Sequence, residues 1–179
     1  MREERVAKRY ARALFNAAVR TQAVDAVSEA LQQLLNTLHE QPPLRTLLLN
    51  PLIPRERKQQ MVQEAIGRQT HPLLASLLSV LVDKRRERLL PEVAREFGEL
   101  CDEHMGIVRV RATTAYPLDS QQEHALVRGL EQRTGKTVVL QTNVDPSLIG
   151  GIVVRIGDTI IDGSVRGQLL RLRQYLLNA

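Results

Sequence analysis

The sequence predicts an α+β protein: an N-terminal six-helix bundle over residues 1–105, then a small C-terminal domain of order β-α-β-β-β-α over residues 106–179. Three observations predict it. Apolar residues recur at helical spacing as far as about Met105, and after Gly106 they recur at every second position. Prolines punctuate the first region, at Pro42-Pro43, Pro51, Pro54, Pro72 and Pro91, where they separate or open the periodic runs. Residues 148–177 read as a β-hairpin feeding a capped helix.

Taken in order, Arg5 to Arg20 and Val24 to His39 carry helical stripes, and a short helical piece spans Leu44 to Leu49. Pro54-Arg55-Glu56 opens a fourth helix running to about Ile66, with Gly67 ending it. Pro72 to Val82 makes a fifth and Pro91 to His104 most of a sixth. The connections are short, which argues for helices packed as neighbours.

After Gly106, Val108, Val110 and Ala112 face one way and Arg109, Arg111 and Thr113 the other, so this is a strand with one buried face. Tyr116-Pro117 stops it. Ser120-Gln-Gln-Glu123 reads as a capping box for a helix to about Thr134, with Gly135 beyond its end. Val138, Leu140, Thr142 and Val144 alternate as a second strand, ended by Asp145-Pro146. Gly150-Gly151 permits a bend before the hairpin, whose strands Ile152 to Ile156 and Thr159 to Asp162 flank Gly157-Asp158. Glycine at the first of those turn positions suits a type II′ hairpin, because that residue takes positive φ. Asp162-Gly163-Ser164 then breaks the strand, and Ser164 can accept hydrogen bonds from the free N–H groups of the last helix. In that helix Val165, Leu169, Leu172 and Leu176 share a stripe, with Arg166, Arg171 and Arg173 off it.

Composition bounds the function. With 179 residues and 43% hydrophobic content, the chain can bury a real core. The longest apolar run, Leu73 to Val82, is interrupted by Ser76 and Ser79 and falls well short of the roughly 18 residues a membrane span needs. Arg2-Glu3-Glu4-Arg5 leads straight into helix pattern, so neither signal nor transit peptide is expected, and a bacterial cytoplasmic setting follows. One cysteine, Cys101, suits a reducing compartment.

The net charge of +5 invites a nucleic-acid-binding reading, that of a basic helical protein with an α+β appendage. Aromatic residues are only 3% of the chain, too few for base-stacking platforms. The densest basic run, Lys84-Arg85-Arg86-Glu87-Arg88, reads as a solvated helix terminus rather than a phosphate-binding patch. Catalysis has less support still. His39, His71, His104 and His124 lie far apart in sequence, and Cys101 sits beside Asp102 and Glu103, which would raise a thiol pKa. Gly150, Gly151 and Gly157 lack the spacing of a P-loop or dinucleotide fingerprint, and Asp162 reads as a turn and capping residue. No catalytic residue, cofactor or metal ligand is expected.

Interaction has positive support. In the first helix Ala7, Ala11, Leu14 and Ala18 form one apolar stripe, and Val6, Tyr10, Ala13 and Ala17 form a second beside it. One stripe attaches a surface helix to its bundle; a second either is central or needs another cover. The fifth helix is similar, with Leu74, Leu77, Leu78 and Leu81 able to face inward while Ser76, Val80 and Asp83 line another side.

Leu148-Ile-Gly-Gly-Ile-Val-Val-Arg-Ile-Gly-Asp-Thr-Ile-Ile-Asp-Gly-Ser-Val-Arg-Gly-Gln-Leu-Leu-Arg-Leu-Arg173 resembles the C-terminal signature of the δ subunit of F-type ATP synthases, the family that includes the oligomycin-sensitivity-conferring protein. Val6-Ala-Lys-Arg-Tyr-Ala-Arg-Ala-Leu-Phe15 resembles the same family's N-terminal motif. The resemblance implies a non-catalytic connector between the catalytic head and the peripheral stalk, one copy per complex, at the cytoplasmic face of a bacterial membrane and attached to it only through the complex. It further implies that a groove between the first and fifth helices receives the N-terminal helix of an α subunit, at Val6, Tyr10, Ala13, Ala17, Ser76, Val80 and Asp83. The C-terminal domain would hold the C-termini of the stalk b subunits. Leu169, Leu172, Arg173 and Leu176 are the candidate surface, although Leu169 and Leu172 suit packing on the domain's own sheet better than Leu176 does. Gly150, Gly151, Gly157, Asp162, Gly163 and Ser164 are then structural signature residues, and a flexible joint is expected near Gly106.

Overall fold

A computed structural model describes residues 2–66, 70–157 and 159–177. Their contacts divide the chain into two compact units, Met1–Cys101 and Asp102–Ala179. Among the described residues there are eight α-helices and one four-stranded mixed sheet, an α+β fold.

The first unit is helical. Helices α1 (Arg2–Arg20), α2 (Val24–Glu40), α3 (Pro42–Leu49), α4 (Arg55–Met61), α5 (Pro72–Asp83) and α6 (Leu90–His104) follow one another. Pro72 sits in the first turn of α5, and His71 Nδ1 caps it by accepting from Leu73 N at 3.3 Å. Stripes at i, i+4, i+7 build the core: Ala7, Ala11, Leu14 and Ala18 from α1 meet Val27, Leu31, Leu34 and Leu38 from α2, all buried. Leu74, Leu78 and Leu81 of α5 are fully enclosed, each worth about 1.5–3 kcal/mol of apolar burial. Phe15 meets Phe97 of α6 edge-on, with ring centroids 6.0 Å apart.

Two features depart from the sequence reading. The fourth helix is not one α-helix to Ile66: it ends at Met61, and Val62–Ile66 forms a π-helical turn. The wider turn changes the phase of the helix, with Val62 buried at its start. The expected stop at Gly67 lies outside the described residues. The basic run Lys84 to Arg88 is not solvated throughout. Glu87 opens a 3-10 turn, Glu87–Leu89, and is buried, with Oε1 accepting from the buried Lys58 Nζ at 2.7 Å. Its partner is 29 residues away, beyond the reach of any local pattern.

The second unit is built on β1 (Ile107–Thr114), α7 (Ser120–Thr134), β2 (Thr137–Val144), β3 (Ile152–Ile156), β4 (Thr159–Asp162) and α8 (Val165–Leu177). A single 3-10 turn, Pro146–Leu148, precedes β3. The sheet order is β2-β1-β3-β4, with β1 parallel to β2 and antiparallel to β3. A parallel pair needs a crossover, and α7 supplies it. Val110 on β1 pairs with Leu140 and Ile156, and with Leu130, Val138 and Val154 it forms the small core. Arg109 and Arg111 point away from that core and are exposed, as the alternation requires. Arg109 Nε and Nη2 both donate to the Asp102 carboxylate, at 2.5 and 2.9 Å.

The cap of α7 stands one residue earlier than expected. Asp119 Oδ1 accepts from Gln122 N at 2.8 Å, and Gln122 Oε1 accepts from Asp119 N at 3.1 Å. Both registers offer a capping residue with Glu or Gln three positions on; the carboxylate is the stronger acceptor at a helix N-terminus. Gly135 closes the helix in the left-handed region, at φ 67°.

Candidate functional site

Helices α1 and α5 pack against each other within the first unit. With Ala7, Ala11, Leu14 and Ala18 committed to the core, the second stripe of α1 is left over: Val6, Tyr10 and Ala17 are half-buried and Ala13 is exposed. On α5, Ser76 and Asp83 are exposed and Val80 is 43% exposed, while the leucines between them are enclosed. The seven residues thus lie on neighbouring helices and outside the core. Their polar members are already engaged. Arg86 Nη1 donates to Tyr10 Oη at 3.0 Å and lies over the Tyr10 ring, 5.9 Å from its centroid. Ser76 Oγ donates to Pro72 O at 2.9 Å, and Asp83 Oδ1 accepts from Gln59 Nε2 at 3.0 Å, with Arg55 Nε 3.8 Å away. Asp83 is therefore tied to α4, which leaves Val80 and Ser76 as the open part of that ridge. Arg86 and Gln59 carried no signal in the sequence, because their roles depend on side chains brought together from 76 and 24 residues away.

The signature segment of the second unit forms a scaffold. Asp162 Oδ1 accepts from both Ser164 N, at 2.8 Å, and Ser164 Oγ, at 2.7 Å. The buried Ser164 Oγ in turn accepts from Gly167 N at 3.0 Å, which caps α8 as the sequence indicates. The Ser164 hydroxyl and then its N–H hold the Asp162 carboxyl below the usual carboxylate range; partial desolvation opposes this and the Arg171 charge adds to it. Gly163 N donates to Ile152 O at 2.9 Å and Val165 N donates to Gly150 O at 2.9 Å, so the bend before β3 is stitched to the start of α8. Gly151 has φ 78°, and a Cβ there would collide with Gly163 O and lie 3.1 Å from Ser164 Cα. Gly157 has φ 56° at the hairpin turn, with open space around it; Asp158 lies outside the described residues.

The α8 ridge is not covered by the domain's own sheet, contrary to the expectation for Leu169 and Leu172. Leu169, Leu172 and Leu176 are 53%, 55% and 67% exposed, and Arg173 is exposed beside them. The sheet core is already filled from one face by Leu126, Val127 and Leu130 of α7, while α8 buries only Gly167.

Chemistry has little foothold here. Among the described residues no group of three or more His, Cys, Asp or Glu side chains converges on a point, and no helix is long and apolar enough to cross a membrane. Cys101 is buried.

The chain matches the family model of the ATP synthase delta (OSCP) subunit over residues 6–176. It is 41% identical over 174 residues to ATP synthase subunit delta of Anaeromyxobacter dehalogenans (strain 2CP-C), covering 96% of each chain. It is 37% identical over 179 residues to ATP synthase subunit delta of Symbiobacterium thermophilum, covering all of this chain and 96% of that one. Among solved structures it is similar to a chain of the Toxoplasma gondii mitochondrial ATP synthase hexamer, with a TM-score of 0.68 and 26% identity over 96% of this chain and 97% of that one.

Proposed function

Because the chain belongs to the ATP synthase delta (OSCP) subunit family, we propose that it is the non-catalytic connector of an F-type ATP synthase, tying the catalytic head to the peripheral stalk. The observation that carries the reading at the level of residues is the leftover apolar stripe of α1. Val6, Tyr10, Ala13 and Ala17 stand half-buried or exposed beside Ser76 and Val80 of the neighbouring α5. Small side chains at Ala13, Ala17 and Ser76 let a helix approach closely, and burial along an i, i+3/i+4, i+7 ridge drives helix-in-groove association. The occupant in this reading is the N-terminal helix of an α subunit. The exposed Leu169-Leu172-Leu176 ridge of α8, with Arg173 at its side, is the matching surface for the C-termini of the stalk b subunits.

The mechanism is mechanical. Torque from the rotor would turn the catalytic head with it; a connector anchored to the membrane-bound stalk holds the head still, so that rotation drives its conformational cycle. One copy per complex suffices, with residues 1–105 gripping the head and residues 106–179 the stalk. Neither nucleotide nor metal nor proton has to touch the chain, and its place at the cytoplasmic face of a bacterial membrane comes through its partners.

The test is a peptide from the N-terminus of the α subunit, titrated against the full chain. Ala13 is exposed, so Ala13→Arg leaves the core intact while filling the groove with a long cation; binding should be lost with the unfolding midpoint unchanged. Val80→Asp should act likewise from the other wall. Undiminished binding by both variants would sink the groove assignment.

A further inference from the structure

The first unit also carries a basic cleft that the connector reading leaves unused. Two adjoining depressions, of about 90 and about 440 Å³, share Leu49, Pro51 and Arg88 in their walls. Arg55 and Arg85 line the first and Arg45 the second. Leu52, at the tip of the same loop, is 87% exposed.

The acids within reach of this rim are already engaged. Glu87 is buried on Lys58, and Asp83 takes Gln59 and Arg55. The guanidinium groups of Arg45, Arg85 and Arg88 make no hydrogen bond or ion pair among the described residues. Arg85 is unusual in its backbone as well. It ends α5 at φ 53°, with Arg85 N donating to Val82 O at 3.0 Å and Arg86 N to Leu81 O at 2.8 Å. Glycine is the residue that such a helix ending favours. An arginine held there against backbone strain, with its charge unmatched, points to a use for the side chain.

We propose that this cleft binds an acidic, partly apolar segment of the catalytic head, as a second contact besides the α1/α5 groove; the inference rests on the connector reading. Guanidinium forks pair bidentately with carboxylates, and the apolar walls of Leu49 and Pro51 suit the side chains between them. A lone phosphate would be served by a closed cradle of backbone N–H groups, whereas this trough is open and rimmed by side chains.

The experiment titrates the full chain against the assembled head of α and β subunits at low and at physiological salt. The double variant Arg45→Gln/Arg88→Gln should bind about tenfold more weakly, the sum of a few solvent-facing ion pairs, and with a shallower salt dependence. Arg85→Gly should raise the unfolding midpoint, because it relieves the left-handed arginine, and yet bind the head several-fold more weakly. That split separates a binding role from a structural one. If both variants bind the head with unchanged affinity and salt dependence, the cleft is not a head contact and only this inference fails. If the unmutated chain does not bind the head at all, the connector reading fails and this inference with it. Phosphatidylglycerol vesicles and duplex DNA are run in parallel. Variants that lose either of these, while keeping full affinity for the head, would reassign the cleft to lipid or nucleic acid.

Discussion

Gly151→Ala offers the sharpest test of the scaffold formed by the signature segment. The perturbation adds one methyl group at φ 78°, where the built Cβ overlaps Gly163 O and approaches Ser164 Cα at 3.1 Å and Gly163 C at 3.2 Å. All three neighbours are backbone atoms, so no side chain can swing away. The left-handed conformation alone costs alanine about 1 kcal/mol. Displacing the chain between β4 and α8 adds about 2–3 kcal/mol, the usual range for overpacking. The sum is roughly 3–4 kcal/mol. Gly157→Ala is the matched control, because Gly157 also has positive φ, 56°, but nothing lies within 4 Å of its built Cβ. It should cost only the first contribution, about 1 kcal/mol. With a urea slope of about 1–1.5 kcal/mol per molar for a unit of this size, Gly151→Ala should lower the midpoint by roughly 2–3 M and Gly157→Ala by less than about 1 M. Circular dichroism of the full chain in a urea series reads both. Equal shifts for the two variants would refute the reasoning, since they would mean that the close approach of the bend to Gly163 carries no energetic weight.

Two further outcomes follow from buried and hydrogen-bonded charge. Lys58→Met strands the buried Glu87 carboxylate and should cost about 3–5 kcal/mol, whereas Lys58→Met/Glu87→Leu should recover most of that loss; strictly additive effects on the thermal midpoint would contradict a coupled pair. Asp162 has its folded-state pKa lowered by hydrogen bonds from Ser164, so its contribution to stability is complete above the ordinary carboxylate range and is lost as pH falls through the folded value. Asp145, lowered by Ser147, acts in the same direction. Asp162→Asn should therefore flatten the acid limb of a urea-midpoint profile between about pH 5 and pH 2, and an unchanged limb would show that the Ser164 contacts do not favour the ionised form.

Much of the fold was legible because its determinants are local. The hairpin strands Ile152–Ile156 and Thr159–Asp162 fall where β-branched runs flank Gly157, and Ser164 caps α8 as its place after Asp162-Gly163 suggests. The core stripe of α1 was readable for the same reason, since Ala7, Ala11, Leu14 and Ala18 recur within successive turns. At α7 two overlapping capping boxes compete, and only the difference between a carboxylate and a hydroxyl acceptor moves the cap to Asp119. The candidate groove was legible as a surplus of apolar stripe on α1 and α5, but not its polar fittings. Tyr10 with Arg86, and Asp83 with Gln59, are pairs that no window of sequence contains.

Sequence by itself determined the alternation of helix and strand, the turn glycines, the caps and the membership of a family, all written in residue spacing within a turn or two. Tertiary structure decided which apolar stripes are covered. Leu169 and Leu172 look like core residues by periodicity, yet they are half exposed because α7 already fills the face of the sheet they would have used. It decided the fate of charge as well. In the run Lys84 to Arg88, Glu87 turns inward to a lysine 29 residues away while Arg85 and Arg88 stay at the rim of a cleft. Spacing tells a side chain which direction it leaves its own helix; what it meets there depends on distant segments that only folding brings within reach.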